Sequence, residues 1–559
     1  EPNILGNGAI LSDRALGTFV SWRGFQEGGG FGADAYSYAP YAWDGEGNAI
    51  GRLPTNLAEV PGAETPLAEG GFKGDAKLSA DSHHFVFSSL PTVFSPGGVS
   101  TEPGSAYDDN RLTGELTVVS KTAAGGNIPQ DASGSTVAGE YIKIPAISGD
   151  GSHILMSTAA PGGLTHLYMR VNDAITYEIS VGSDAIDHGV KFEGMTEDGV
   201  IAYFTTPAQM TPEDNDSSVD LYGWSENNGS PQLTLISIGS EGYGDSDSCN
   251  AEWVTKCNVE VVPADNNIIV GVLRRHQIDN AIASQGGDIY FYSPEELDGT
   301  RGAPGKRNLY VWRNDAVHHV ATIESQSPAS RIQVTADGKY MALVTKSMLT
   351  PYDNAGHLEM YRYDATSRKL ICVSCNPDGS LPSSNVEGSQ NGLYITSDGR
   401  TFFSTQDALV PPDANGIRDV YEYVDGRPQL ISTGTGNDEG ANAPTPIGLV
   451  GVSADGTDAF ISTYETLVAQ DENGPFLKFY DARVGGGFPF NRPAAPCAAA
   501  DECHGEGSSQ PPLATIGSTA SLGASGSAAS GDEVRRKRHR HHRKHRHHRR
   551  HRRGGKAKR

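Results

Sequence analysis

The chain has 559 residues with Gly 68 and Pro 32, a hydrophobic share of 37% and a formal net charge of -24. So many turn formers, and no run of about 10 to 12 residues with a helical apolar stripe, exclude a helical bundle and point to an all-β fold. No stretch approaches the roughly 18 uninterrupted apolar residues of a membrane helix, so no transmembrane segment is expected.

The chain opens at Glu1 with neither a Met nor an apolar targeting segment, so a processed or truncated start is expected. Its net charge averages two unlike parts. Residues 535–559 hold 15 Lys+Arg, 7 His and no acid, which leaves 29 Lys+Arg against 68 Asp+Glu, a net of -39, in residues 1–534.

In chain order, one signature recurs: a small hydroxyl residue, an acidic turn, then an apolar strand ending in Ser or Thr. It starts at Ser12 (SDRALGTFVS), Ser79 (SADSHHFVFSS), Ser148 (SGDGSHILMST), Thr196 (TEDGVIAYFTT), Ser284 (SQGGDIYFYS), Thr335 (TADGKYMALVT), Thr396 (TSDGRTFFST) and Ser453 (SADGTDAFIST). The intervals of 67, 69, 48, 88, 51, 61 and 57 residues bracket the roughly 40 to 50 of a four-stranded propeller blade with variable loops. The 88-residue interval contains Cys249 and Cys257 and reads as an insertion whose ends a disulfide ties. Two consecutive copies fill residues 331–433, and their Asp-Gly turns between apolar runs predict antiparallel hairpins.

A second signature, an aromatic strand of the form DVYEY, follows at residues 34, 166, 220, 308, 359, 419 and 478. Alternation puts Tyr421 and Tyr423 on one face and Val420, Glu422 and Val424 on the other, so such a sheet can pack on both sides. A ring hides the terminal edges that a linear stack would expose. The fold expected is therefore a β-propeller of eight blades, with seven as the alternative, each of four antiparallel strands. The unit at Ser453 runs into Gly485, Gly486, Gly487 and Pro489 before a fourth strand, and the segment from Asn3 to Leu11 is expected to supply it. Residues 1–490 form the propeller, 491–534 a linker rich in Pro, Ala, Ser and Gly, and 535–559 a disordered Arg/His-rich tail.

The TADGKYMALVT and DVYEY signatures resemble the WD-repeat-like propellers of the TolB type, whose repeat carries a Ser-Pro-Asp-Gly turn before a core strand and an Asp-x-Tyr strand after it. The Pro of that turn is replaced by Ala80, Gly149, Glu197, Ala336, Ser397 and Ala454, so the likeness is to the broad repeat class. CVSCNPDG, DANGIRDVYEY and FYDARVGGGFP are similar to phrases of exported actinobacterial propeller proteins, many ending in basic tails. That resemblance implies a fold and a location outside the cytoplasm, and it brings no activity with it.

Six cysteines fall into three near neighbours, Cys249 with Cys257, Cys372 with Cys375, and Cys497 with Cys503, as short disulfide clips in an oxidising compartment would. The Cys372-x-x-Cys375 pair precedes the turn Asn376-Pro377-Asp378-Gly379 and not a helix, which favours a structural bridge over redox chemistry. Several loops between second and third strands are acidic: Asp214-Asn215-Asp216 with Asp220, Asp353-Asn354 with Glu359, Asp413-x-Asn415 with Asp419, and Asp471-x-Asn473. Alternating oxygen ligands resemble part of a calcium loop, with Asp413, Asn415 and Asp419 as the candidate set. No loop holds the six to eight oxygens calcium takes, and an Asx turn closing a hairpin is the competing reading. The neighbours His83–His84 and His318–His319 point to opposite faces of a strand and cannot chelate one metal together. No cofactor is expected apart from that calcium.

The function expected is a non-catalytic, extracytoplasmic binding or scaffold module, a monomer that takes a protein or glycan ligand on one propeller face. Its tail would hold it to an anionic envelope polymer; the tail lacks interleaved aromatics for base stacking, which argues against nucleic acid. The alternative is a propeller-class enzyme acting on glycans, a hydrolase or lyase. No catalytic residue is legible for it.

Overall fold

A computed structural model describes residues 20–21, 41–43 and 50–52 and, with gaps, residues 77–487; the longer gaps are 90–104, 129–145, 263–283 and 437–447. By contacts the chain divides into residues Glu1–Phe490 and Asn491–Arg559.

The hydroxyl-x-Asp-Gly tetrapeptides fold as hairpin turns. At Thr335 the backbone N–H bonds Tyr340 O at 2.9 Å, the Tyr340 N–H returns to Thr335 Oγ1 at 3.0 Å, and Thr335 Oγ1 donates to Asp337 Oδ1 at 2.5 Å. Asp337 also accepts the Lys339 N–H at 3.1 Å. The Thr335 hydroxyl and the Asp337 carboxylate thus close the turn on itself, which is why Asp and a hydroxyl residue recur together here. The same pattern closes the turns at Ser79, Ser148, Thr196 and Ser453.

These turns organise antiparallel strands into eight sheets among the described residues, spanning 20–52, 77–118, 153–178, 191–235, 260–323, 330–372, 401–430 and 448–483. Four of them have four strands and four have three, and sequence neighbours pair throughout. No described residue is helical, and no helix is long and apolar enough to cross a membrane.

The first of the two consecutive copies is a four-stranded meander of Ser330–Val334, Tyr340–Thr345, Glu359–Asp364 and Lys369–Cys372. The second departs from expectation: Thr401–Thr405, Asp419–Val424 and Arg427–Leu430 make three strands. The described backbone before Thr401 forms no strand of that sheet and pairs with Thr401–Thr405 through the isolated bridges Glu387–Ser404 and Ile395–Thr401. The reason lies in the neighbouring sheets. The Gln333 side chain donates to Gly392 O at 3.0 Å and accepts the Tyr394 N–H at 2.9 Å, so that backbone is held from the sixth sheet. On the other side Val452 N–H bonds Leu393 O at 2.9 Å. The segment predicted to complete the eighth sheet, Asn3 to Leu11, lies outside the described residues, as do Cys497, Cys503 and the whole of 491–559.

Successive sheets meet at their turns. Gly151 packs on His84, Gly199 on His153, Gly287 on Tyr203, Gly338 on Asp288, Gly399 on Tyr340 and Gly456 on Arg400. Each glycine belongs to the turn of one sheet, and each partner stands at or near the start of the strand that follows the corresponding turn in the sheet before. Backbone bonds join several of these turns directly: Asp81 to Gly149 at 3.0 Å, Gly149 to Glu197 at 2.6 Å, Gln285 to Ala336 at 2.8 Å and Ser397 to Ala454 at 2.9 Å.

Candidate functional site

The tyrosine of the third strand anchors the loop that precedes it. Tyr222 and Tyr421 are fully buried and pair across the sheet with Phe204 and Phe403, ring centroids 5.7 and 5.9 Å apart and nearly parallel. Their hydroxyls leave the apolar layer and enter the acidic loops. Tyr222 donates to Asp214 and accepts the Met210 N–H at 3.3 Å; Tyr421 donates to Asp413 and accepts the Leu409 N–H at 3.3 Å. Tyr480 with Asp471 repeats the arrangement. Burial and the adjacent carboxylate push the Tyr222 and Tyr421 hydroxyls well above the usual phenol range, so they stay donors.

The acid that opens the third strand is also buried in three sheets: Asp220, Glu359 and Asp419. A serine beyond the fourth strand reaches each of them. Ser237 donates to Asp220 Oδ1 at 2.6 Å, and Ser374 and Ser432 donate to Glu359 and Asp419. The same serine oxygens accept the backbone N–H of Leu221, Met360 and Val420 at 2.9, 2.8 and 2.9 Å. Ser120 and Ser180 do so for Ala106 and Leu167. Sequence reasoning missed these serines. Their signal was the Ser that follows the last apolar run in QLIST and LICVSC, but its partner is 13 to 17 residues upstream.

Of the acidic loops, the first brings three carboxylates together. One oxygen each of Asp214, Asp216 and Asp220 lies within 4.8 Å of the other two. Burial, reinforced by Asp216 and Asp214, pushes Asp220 up to about 8. Asp220 Oδ2 is fully buried and has no hydrogen-bond partner. In the expected calcium loop, Asp413 Oδ1 and Asp419 Oδ2 are likewise buried and without partners, while Asn415 Oδ1 accepts the Ile417 N–H at 3.0 Å. Burial raises Asp413 as well. Glu359 is pushed up to about 7 by burial, with Asp407 nearby.

Cys249–Cys257 and Cys372–Cys375 are disulfides with Cα atoms 5.3 and 5.6 Å apart. The first belongs to a loop folded back on the acidic one: Asn258 Oδ1 accepts the Val219 N–H at 2.8 Å, and Ser217 and Ser218 bond Asp247 and Ser246 O. The second brackets Ser374. The members of each histidine pair take different partners. His84 meets Asp108 at 2.6 Å while His83 faces Asp81 at 3.1 Å, and His318 meets Arg368 while His319 meets Thr322. Among the described residues the groups of three or more His, Cys, Asp or Glu close enough to share an ion number three. Two of them contain disulfide cysteines, which have no thiolate to offer.

No protein-family model matches the chain, and no curated protein does. Among solved structures it is similar to TolB from Acinetobacter baumannii, at 13% identity over 64% of this chain and 62% of that one, with a TM-score of 0.24. The chain thus spans less than two thirds of that protein. It is also similar to the β-propeller domain of the Trilobed protease from Pyrococcus furiosus, at 9% identity over 74% and 94% of the two chains, TM-score 0.28. A post-proline cleaving enzyme from Rickettsia typhi matches at 9% identity over 78% of this chain and 55% of its own, TM-score 0.34.

Proposed function

We propose that this chain is an eight-bladed β-propeller that works outside the cytoplasm as a non-catalytic binding scaffold, with a protein or glycan ligand on one face. The observation that carries the reading is where the repeated polar residues go. Turn aspartates bond their own turns, strand-three tyrosines bond the preceding loop, and the serines beyond strand four bond the strand-three backbone. Residues that recur from sheet to sheet hold the repeat together, which leaves the variable loops as the place for recognition. Two disulfides support an oxidising location. Residues 1–490 are the propeller, 491–534 a spacer, and the 15 cations of 535–559 tether it to an anionic polymer of the cell envelope.

The test compares the full chain with one ending at 534 on immobilised teichoic acid and on a glycan array. Salt-sensitive retention of the full chain, lost on truncation, supports the tether. Array binding that both forms share supports a ligand on the propeller. Release of reducing ends from any arrayed glycan, beyond that of a heat-killed sample, would overturn the non-catalytic reading in favour of a hydrolase or lyase.

A further inference from the structure

We propose that Asp214, Asp216 and Asp220 bind a calcium ion that clamps the loop before the third strand of the fourth sheet. Three carboxylate oxygens within 4.8 Å of one another repel strongly where water is scarce, and two of the three residues are more than nine-tenths buried. A bound proton or a bound cation relieves such a group. Among the described residues Asp220 forms no ion pair with Lys or Arg, and its Oδ2 is fully buried without a hydrogen-bond partner. The other acceptors are already oriented: Asp214 is fixed by the Tyr222 hydroxyl, and Asp216 Oδ1 by the Ser218 N–H at 2.7 Å.

Hard carboxylate oxygens without sulfur or imidazole select calcium or magnesium over transition metals. A loop with ligands at irregular spacing suits calcium, which accepts six to eight oxygens in flexible geometry, better than magnesium, which demands a near-ideal octahedron. Water and loop carbonyls would supply the rest of its coordination. The fold contains its own comparisons. The loop of the seventh sheet repeats the spacing with Asp413, Asn415 and Asp419 but carries one charge fewer, and it too leaves Asp419 Oδ2 buried and partnerless. The loop of the sixth sheet keeps the strand-opening acid Glu359 but has Ala355 at the middle position.

The site is independent of the scaffold function proposed above, and its failure would leave that reading standing. The experiment is calorimetric titration of calcium chloride, and separately magnesium chloride, into the full chain stripped with chelator, for the wild type, Asp220→Asn, Asp216→Asn and Glu359→Gln. The wild type is expected to bind calcium with a dissociation constant on the order of 10⁻⁴ M or tighter, as in extracellular modules. Asp220→Asn and Asp216→Asn should each lose one calcium per chain or weaken it about tenfold, and Glu359→Gln should bind as the wild type does. If Asp220→Asn fails to fold, Asp216→Asn decides, because its side chain is partly exposed and the amide oxygen can still accept the Ser218 N–H. No heat at about 10 mM calcium, or unchanged stoichiometry and affinity in both Asp variants, would overturn the site. Magnesium binding as tight as calcium would overturn the choice of ion.

Discussion

Gly399, at the tip of the turn that opens the seventh sheet, sits with φ +85° over the ring of Tyr340 in the sixth, where a Cβ would come within 2.8 Å of Cδ2. The turn glycine therefore does two things at once: it takes a backbone conformation that L residues avoid, and it lets one sheet close on the next. Gly399→Ala should lose about 2 to 4 kcal/mol, roughly 1 for the positive φ and 1 to 3 for the clash. Gly356→Ala, at φ +79° with nothing within 4 Å, should lose only the first part. Urea denaturation of both variants measures the difference; equal losses would mean that the contact between sheets contributes nothing.

Tyr421→Phe keeps the ring stacked on Phe403 but removes the hydroxyl that Asp413 and the Leu409 N–H share. Leaving buried polar groups without a partner costs about 1 to 3 kcal/mol. The variant should unfold at correspondingly lower denaturant with an unchanged slope, and hydrogen exchange should quicken at Leu409. An unaltered midpoint would show that the loop does not depend on the tyrosine.

Glu359 ties stability to pH. Burial pushes its folded pKa up to about 7 from a reference near 4.5, so the folded state holds a proton that the unfolded chain releases earlier. Its contribution is full below about pH 4.5 and is lost as pH rises through about 7, a decline of roughly 3 kcal/mol. Glu359→Gln, which can still accept from Ser374, should flatten that part of the stability curve across the same window. A wild type that gains stability from pH 4.5 to 7 relative to the variant would have the opposite sign.

Removing the Cys249–Cys257 clip with a double Cys→Ser substitution should cost about 2 to 3 kcal/mol for a loop of separation 8. It should also weaken calcium binding, because the clipped loop holds Ser217, Ser218 and Val219 immediately before Asp220. Thermal shift with and without calcium reads both effects. A stability loss with calcium affinity intact would separate the clip from the acidic loop.

Much of this was legible in the chain and part of it was not, for reasons of distance. Thr335-Ala336-Asp337-Gly338 announces its hairpin because all its bonds close within five residues. Tyr421 was visible as a buried aromatic, yet its hydroxyl's partner depends on how the loop from Leu409 to Asp413 folds over it. Ser432 and Ser237 were opaque because their partners become neighbours only after the third and fourth strands pair. The missing first strand of the seventh sheet was opaque for a similar reason: Gln333 and Val452 satisfy that backbone from two other sheets. Among the acidic loops, Asp413, Asn415 and Asp419 were the candidate set read from the sequence, although Asp214, Asp216 and Asp220 share its spacing. The tightest carboxylate group is instead at Asp214, Asp216 and Asp220, beside a loop whose disulfide lies far downstream in sequence.

The ring itself is tested most directly by one distance, measured by electron spin resonance between labels at Ala42, in strand Tyr41–Trp43 of the first sheet, and Phe479, in strand Lys478–Arg483 of the eighth. Packed sheets lie about 10 Å apart, so eight sheets closed in a circle bring these labels within about 25 Å of each other, whereas eight in an open row separate them by about 70 Å. A single narrow distribution at the short distance is the expected result, and one centred near the long distance would contradict closure.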